Sequence, residues 1–203
     1  MKPHKVFCIG FHKTGTSSLG LALERLGYRV AGYYPFREMA QRESVTLEEV
    51  RDHAIAVMQD FDAAQDSPWP ILYRELDAAF PGSKFIHIER DAHRWIDSAV
   101  RDFGEVPNAI RSLIYGSGFP KGHEVQWLDR YERHNAEVRD YFADRPDDFL
   151  SLTLEKGEVN WENVCRFLGE PEPDQPWPHA NRRQVKRWKL VWWQILRKLG
   201  LNP

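Results

Sequence analysis

The chain has 203 residues, a length that suits one domain with or without a short appendage. Hydrophobic residues make up 42% of it and aromatic residues 13%, which excludes a chain too polar to form a core. The formal net charge of −2 argues against a general nucleic-acid binder, and no apolar run approaches the roughly 18 residues of a membrane-spanning helix.

The two cysteines and the N-terminus predict a cytoplasmic protein. Cys8 and Cys165 are too few for a disulfide framework, and both occur in apolar surroundings typical of reduced core thiols. The first residues lack the pattern of a secretory leader, because only five apolar residues precede His12.

The chain opens with a predicted strand, a tight loop and a helix. Residues 6–9 form a short apolar run without polar alternation, which is typical of a buried parallel strand. After the loop, an apolar stripe with helical spacing runs from Leu19 to Leu26, and Gly27 ends it.

The rest of the chain alternates short strands with helices. In chain order we predict a strand at 28–31, helices at 46–59 and 71–80, a strand at 84–88, a helix at 91–103, a loop-rich stretch at 104–123, a helix at 124–142, a strand at 149–154 and a helix at 160–169. This alternation predicts an α/β fold, in which helices flank a parallel sheet. Four prolines make residues 171–178 irregular.

The loop at residues 10–18 has the chemistry of a phosphate-binding loop. Backbone N–H groups at the start of a helix attract anions, and the hydroxyls of Thr14, Thr16, Ser17 and Ser18 add donors. The loop departs from the nucleoside-triphosphatase motif, because Thr16 stands where that motif has lysine and the lysine lies at position 13.

A second anion site is predicted beyond the strand at 84–88. Arg90 follows that strand, and Ser98 lies two turns into the next helix, facing back toward the strand end. A guanidinium and a hydroxyl suit a second phosphate, away from the first.

At these residues the sequence resembles the sulfotransferases that use 3′-phosphoadenosine 5′-phosphosulfate (PAPS). Residues 12–19 resemble the family's 5′-phosphosulfate loop, and Arg90 with Ser98 resembles its 3′-phosphate pair. The likeness continues through residues 73–86 and 161–181 and covers about residues 4–183. It differs in the strand before Arg90, where His87 and Glu89 replace apolar or small residues.

The resemblance implies a P-loop-type fold and a reaction. A sulfuryl group would pass from PAPS to a hydroxyl or amine, leaving 3′-phosphoadenosine 5′-phosphate (PAP), with no metal required. Lys13 would stabilise the charge on the departing 5′-phosphate, while the backbone amides of residues 15–17 would hold it. The acceptor stays open among small molecules, carbohydrates and lipids, and nucleic acid is not expected.

Four residues are candidates for contact with the acceptor. Asp66 and His12 are the leading candidates for a general base. His123 and His134 fall where acceptor contacts are expected, so we predict that they touch the substrate or serve as base. For each of the four, a plain hydrogen-bonding role is the alternative.

Two further functions compete with sulfuryl transfer. The first is an ATP-dependent small-molecule or nucleoside kinase, which lacks the expected lysine after Gly15 but could use Asp91 to hold a metal. The second is a nucleotide-binding or membrane-associated adaptor without catalytic activity.

The last segment, residues 182–203, is predicted to form a basic, tryptophan-rich helix apart from a domain at 1–181. Residues 182–198 hold seven Lys/Arg and no acid, which leaves 21 basic against 30 acidic residues elsewhere. Its apolar stripe favours packing on the domain, with peripheral membrane contact or a protein partner as alternatives. Arg182 could also close over the cofactor.

Overall fold

The computed structural model describes residues 2–180. The predicted helix at 182–199, Arg182 and the predicted domain boundary therefore lie outside the described residues. Within them, no helix is long and apolar enough to cross a membrane.

Five parallel strands form the central sheet, which confirms the predicted α/β class. They are β1 (Val6–Cys8), β2 (Val30–Ala31), β3 (Ala63–Ala64), β4 (Lys84–Glu89) and β5 (Phe149–Thr153). Their order across the sheet is β2-β3-β1-β4-β5, so β1 lies at the centre. The carboxyl ends of all five strands meet along one edge, where ligands bind in such sheets.

Eight α-helices surround the sheet in the described part of the chain. They are α1 (Thr16–Arg25), α2 (Arg37–Ala40), α3 (Leu47–Val57), α4 (Tyr73–Ala79), α5 (Ala92–Phe103), α6 (Ala109–Tyr115), α7 (Glu124–Tyr141) and α8 (Trp161–Leu168). The capping box predicted at Thr46 and Glu49 is present, and Asn160 caps α8 as predicted. Short 3-10 helices span Tyr34–Phe36, Trp69–Leu72 and Leu154–Lys156.

Sequence analysis missed α6, inside the stretch predicted to be loop-rich. Asn108 caps its N-terminus by accepting a hydrogen bond from the Arg111 N–H, and Gly116 ends it in the left-handed conformation. A helix of seven residues is too short to establish a periodic apolar pattern against the glycines around it. Helix α6 carries Arg111, which lines a cavity of the candidate functional site.

Successive residues of β1 and β4 face opposite layers of the core. Phe7 and Phe85 pack in the layer that holds α3, α5 and α7, whereas Cys8 and Ile86 pack in the layer that holds α1 and α8. Because both faces of the sheet are covered, its strands read as apolar runs rather than as alternating patterns.

Two buried histidines interrupt this apolar packing between β4 and α7. His87 donates from Nε2 to the Asn135 side-chain oxygen over 3.1 Å, and its ring centroid lies 5.9 Å from that of His134. Burial lowers the pKa of His87 to about 4 and holds that of His134 well below its usual range. Both rings are therefore neutral at pH 7.

We predict that the free energy of unfolding falls as the pH drops below 6.5. The unfolded chain then binds protons that the buried rings do not, so His87 alone should cost about 1 kcal/mol between pH 6.5 and 5.5. Urea denaturation across this range should show a flatter profile for His87→Gln. The exposed His93 supplies the control, since His93→Gln should keep the wild-type profile; an equally flat profile for both variants would contradict this explanation.

Candidate functional site

A cleft of about 830 Å³ opens at the carboxyl ends of the strands. Nine of the candidate site residues line it, namely His12, Lys13, Gly15, Thr16, Ser17, Ser18, Asp66, Arg90 and Ser98. The loop after β1 and the residues after β3 and β4 thus meet at one site, as the parallel topology requires.

The path of the loop depends on two glycines. A Cβ at Gly10 would lie 2.5 Å from the Ile88 carbonyl oxygen, so only glycine lets the loop pass so close to β4. Gly15 has a φ of 106°, and Lys13 also adopts the left-handed conformation with a φ of 69°. Left-handed residues turn the chain sharply and bring it back to the start of α1.

Side chains from α5 and α7 fix two carbonyls of this segment from behind. His134 donates from Nε2 to the Ile9 carbonyl over 2.7 Å, and Trp95 donates from Nε1 to the His12 carbonyl over 2.8 Å. Both donors are fully buried, so these hydrogen bonds are sheltered from water.

Two further carbonyls of the loop are held at closer range. The Thr14 hydroxyl donates to the Phe11 carbonyl over 2.7 Å, and Arg90 donates from Nη1 to the Lys13 carbonyl over 3.0 Å. Thr14 is fully buried, so its hydroxyl is used inside the loop and does not add a donor to the cleft as the sequence suggested.

The first turn of α1 offers unused backbone donors. Gly15 is its N-cap, and within residues 2–180 no side chain caps this turn. Thr16 and Ser17 line the cleft, so their N–H groups and the helix dipole favour an anion there. The Ser18 hydroxyl instead accepts a hydrogen bond from the Ala180 N–H over 3.2 Å.

Lys13 and Asp102 form an ion pair across the cleft. The Lys13 ammonium donates to the Asp102 carboxylate, and both side chains are about four-fifths buried. Asp102 is at the end of α5, and its carboxylate also lies 3.9 Å from the Nε atom of Arg101. An anion entering the cleft would compete with this carboxylate for Lys13.

The second anion site combines Arg90, which follows β4, with Ser98 of α5. The Nε atom of Arg90 lies 3.7 Å from the Glu155 carboxylate, which is too far for a hydrogen bond. This buried Nε has no hydrogen-bond partner among the described residues. Ser98 lines the same cleft, and its hydroxyl accepts a hydrogen bond from Arg101 over 3.3 Å. The Tyr131 hydroxyl fixes the Arg90 backbone by bonding both its N–H and its carbonyl, each at 2.8 Å.

A smaller cavity of about 220 Å³ adjoins the cleft. His12, Asp66 and Phe103 line both spaces, so they lie at the junction. His12 is buried, with Nδ1 at 3.1 Å from the Ser67 hydroxyl and Nε2 at 3.2 Å from the Tyr115 hydroxyl. Both of its ring nitrogens are therefore engaged.

The two candidate bases at this junction differ in their electrostatics. Burial, with the nearby charges of Arg111 and Lys13, lowers the pKa of His12 to about 3. Burial raises the pKa of Asp66, although its carboxylate accepts a hydrogen bond from the Ser67 N–H over 2.7 Å. A carboxylate with a raised pKa is the better proton acceptor of the two.

The other two histidines from the sequence prediction do not reach the cleft. His134 is fully buried beneath the loop, where its ring stacks on Phe11 with centroids 4.1 Å apart. His123 is exposed at the N-cap of α7, against Phe119, and lines neither cavity described above. The core needs a hydrogen-bond donor at position 134, so packing rather than substrate contact accounts for that residue.

Several residues of the site were missed by sequence analysis. Arg101 and Phe103 extend the face of α5 that carries Ser98, and the i, i+3 spacing from Ser98 to Arg101 could have indicated the former. Arg111 lies on the unpredicted α6, and Leu154 follows β5. His179, directly after the proline-rich segment, also lines the cleft.

Metal-ligating groups do not converge in the described part of the molecule. Among residues 2–180, no group of three or more His, Cys, Asp or Glu side chains is arranged to hold a metal ion. Cys8 and Cys165 are free thiols in the core, and burial raises the pKa of each.

Comparisons with known proteins agree with this geometry. A family model described as "Sulfotransferase domain" matches residues 5–185. One curated relative, "Ava biosynthesis cluster protein M" of Aspergillus versicolor, is 24% identical over 238 aligned positions, which cover 96% of this chain and 88% of the relative.

Two solved structures share the fold at low sequence identity. The sulfotransferase from Alicyclobacillus acidocaldarius has a TM-score of 0.56 and 16% identity, covering 100% of this chain and 98% of its own. The sulfotransferase domain from the curacin biosynthetic pathway has a TM-score of 0.52 and 14% identity, covering 98% of each chain. The architecture is therefore that of sulfotransferases.

We predict that Asp102→Asn strengthens the binding of inorganic pyrophosphate to the cleft. The anion would no longer compete with a carboxylate for Lys13, and a partly exposed ion pair is worth up to about 1 kcal/mol, or about fivefold in affinity. Isothermal titration calorimetry measures the change. Asp97→Asn, on the exposed face of the same helix, should bind like the wild type; an unchanged affinity for Asp102→Asn would contradict the competition.

Proposed function

Because the chain belongs to the sulfotransferase domain family, we propose that it transfers a sulfuryl group from PAPS to a hydroxyl or amine of a small-molecule acceptor. The observation that carries the choice of donor is a single cleft with two separate anion sites, one at the start of α1 and one at Arg90 and Ser98. A donor with phosphates at both ends of its ribose requires two such sites. The cleft of about 830 Å³ is in the range of nucleotide-sized pockets.

The first site would hold the 5′-phosphosulfate. The uncapped N–H groups of Thr16 and Ser17 supply fixed donors, and the helix dipole adds partial positive charge. Lys13 projects from the same loop and would exchange Asp102 for the bridging oxygen, where negative charge grows as the sulfur–oxygen bond breaks.

The second site would hold the 3′-phosphate, which ATP lacks. The buried Nε of Arg90 has no hydrogen-bond partner among the described residues, and Ser98 adds a hydroxyl. Arg101, which bonds that hydroxyl, supplies a second guanidinium. Charge-assisted hydrogen bonds of this kind are stronger than neutral ones and give specificity through geometry.

Asp66 is the residue we propose as general base. It lies at the junction of the two cavities, and its raised pKa makes its carboxylate a stronger base than an ordinary aspartate. His12 has the same position but is held by two hydroxyls, which suits a residue that orients the junction instead.

The kinase alternative loses its main support in this geometry. Asp91, the residue that could have held a metal, caps α5 by accepting a hydrogen bond from the Arg94 N–H over 2.9 Å.

A titration with nucleotides distinguishes the two functions. PAP should bind without metal and more tightly than ATP with magnesium. The reverse preference would favour the kinase.

The class of the acceptor is also part of this proposal. Carbohydrates and lipids stay among the acceptor classes, and membrane contact through residues 182–203 remains a prediction on a segment outside the described residues.

We predict that Lys13→Ala lowers kcat for sulfuryl transfer by about 10²–10³-fold, the cost of removing one donor from a developing anion. Formation of PAP from PAPS measures the rate, and calorimetry with PAP separates binding from chemistry. The exposed Lys121 provides a matched control, because Lys121→Ala should turn over normally. Undiminished turnover of Lys13→Ala would remove Lys13 from this role.

We predict that Arg90→Ala abolishes the preference for PAP over adenosine 5′-monophosphate, which has no 3′-phosphate. The loss in PAP affinity should reach about 10–100-fold, the worth of a hydrogen bond to a charged group. Affinity for the monophosphate should change far less. Arg94→Ala, exposed on α5, is the control. Equal losses for both nucleotides would mean that Arg90 only supports the loop through the Lys13 carbonyl.

A further inference from the structure

The smaller cavity adjoins the cleft that we propose for the donor, which leaves this cavity for the acceptor. Its junction with the cleft is formed by His12, Asp66 and Phe103, while Asn108 and Arg111 line only the smaller cavity. At about 220 Å³ it is below the size of drug-binding pockets, so it fits a small molecule or the end of a larger one.

Arg111 is the unusual residue of this cavity. It is 8% exposed, and only Nη2 has a hydrogen-bond partner, the Val106 carbonyl at 2.8 Å. Its Nε and Nη1 atoms are buried without partners, and among residues 2–180 no carboxylate forms an ion pair with it. Its guanidinium lies over the Phe103 ring, 4.5 Å from the centroid.

A buried guanidinium without a counter-charge is costly. Arginine stays protonated in proteins, and buried charges are normally paired because desolvation is not otherwise repaid. Burial is also the main cause that lowers the pKa of Arg111. The two open donors therefore fit an anion that the ligand-free protein does not supply.

The surrounding groups favour the same ligand. Asn108 accepts a hydrogen bond from the Arg111 N–H over 2.9 Å and donates to the Tyr33 hydroxyl over 2.7 Å. Because the Tyr33 hydroxyl accepts this bond, its own proton can be donated to a ligand in the cavity that Tyr33 lines. The acid of this cavity, Asp66, lies at its junction with the cleft.

We propose that the acceptor is an alcohol or phenol that also carries a carboxylate, and that Arg111 binds this carboxylate. The proposal rests on the proposed sulfuryl transfer and narrows its acceptor. The carboxylate occupies the Arg111 end, and the hydroxyl reaches the junction beside Asp66. A neutral sugar or an amine would leave the guanidinium unpaired, and an ammonium group would be repelled by it.

Sulfuryl transfer to such an acceptor is a single displacement at sulfur. The acceptor oxygen forms a bond to sulfur while the bond from sulfur to the 5′-phosphate oxygen breaks. The electron pair of that bond stays on PAP, and the hydroxyl proton passes to Asp66. Binding the carboxylate fixes which hydroxyl faces the sulfur, which is how Arg111 would determine specificity.

The test compares acids with their methyl esters. The probes are 4-hydroxybenzoate and 3-hydroxybutyrate, each beside its methyl ester, measured for binding to the PAP-loaded protein by calorimetry and for turnover with PAPS. At least one acid should exceed its ester by 10-fold or more in affinity and in kcat/KM. Binding of both esters as tight as that of their acids, or no saturable binding of either acid, would overturn the proposal.

Variants separate Arg111 from the rest of the site. Arg111→Gln should reduce the preference for the acid to within about twofold of the ester while the affinity for PAP is kept; Arg133→Gln, exposed on α7, is the matched control. A preference that survives in Arg111→Gln would overturn the assignment. If Arg111→Gln does not fold, the acid and ester comparison on the unaltered protein still decides.

Failure of the sulfuryl-transfer proposal would look different. In that case PAP would not bind and PAPS would not be consumed with any probe, whereas the acids would still bind in the cavity. Loss of the acid preference with normal PAP binding would instead reject only the carboxylate-binding role.

Discussion

The site depends on the orientation of the peptide units in one loop. The carbonyls of Ile9, Phe11, His12 and Lys13 are each held by a side chain, and three of the four donors come from other elements of the fold. A carbonyl fixed from behind cannot turn its partial negative charge toward a bound anion. The amides at the start of α1 are thereby left to face the cleft. Anion binding here is consequently a property of the packing behind the loop as much as of the loop itself.

That packing is an aromatic layer whose polar atoms reach into the site. Trp95 and Tyr131 stack with centroids 4.2 Å apart, and each uses its polar atom to fix a backbone group, at His12 and at Arg90 respectively. Aromatic side chains can do both because an apolar body carries one polar handle. The packing of the core therefore sets the backbone at both anion sites, and a change in how these rings pack would displace both.

Charge is balanced locally before any ligand arrives. Lys13 faces Asp102, and Arg90 lies near Glu155, so a bound donor exchanges one anionic partner for another. This exchange limits the cost of keeping cations buried in a protein of net charge −2. Arg111 differs, since within residues 2–180 it has no acidic partner, and this contrast is what assigns it to an acceptor. In our proposal, the donor replaces the acidic partners of Lys13 and Arg90, and the acceptor supplies the acidic partner that Arg111 lacks.

The sequence by itself determined the α/β class, the loop after β1 and the approach of Arg90 to it, because periodicity, caps and strand ends are properties of neighbouring residues. It did not reveal β3, α2 or α6, which span only two, four and seven residues. Its likeness to sulfotransferases was confirmed by the family match. The tertiary structure decided which side chains face the cleft. His134 was predicted to touch substrate but lies under the loop, and Thr14 turns inward. Arg111 could not be found at all, because its helix is too short to leave a pattern. The position of His134 depends on packing against Ile9, a residue more than 100 positions away along the chain, and no local pattern encodes such a contact.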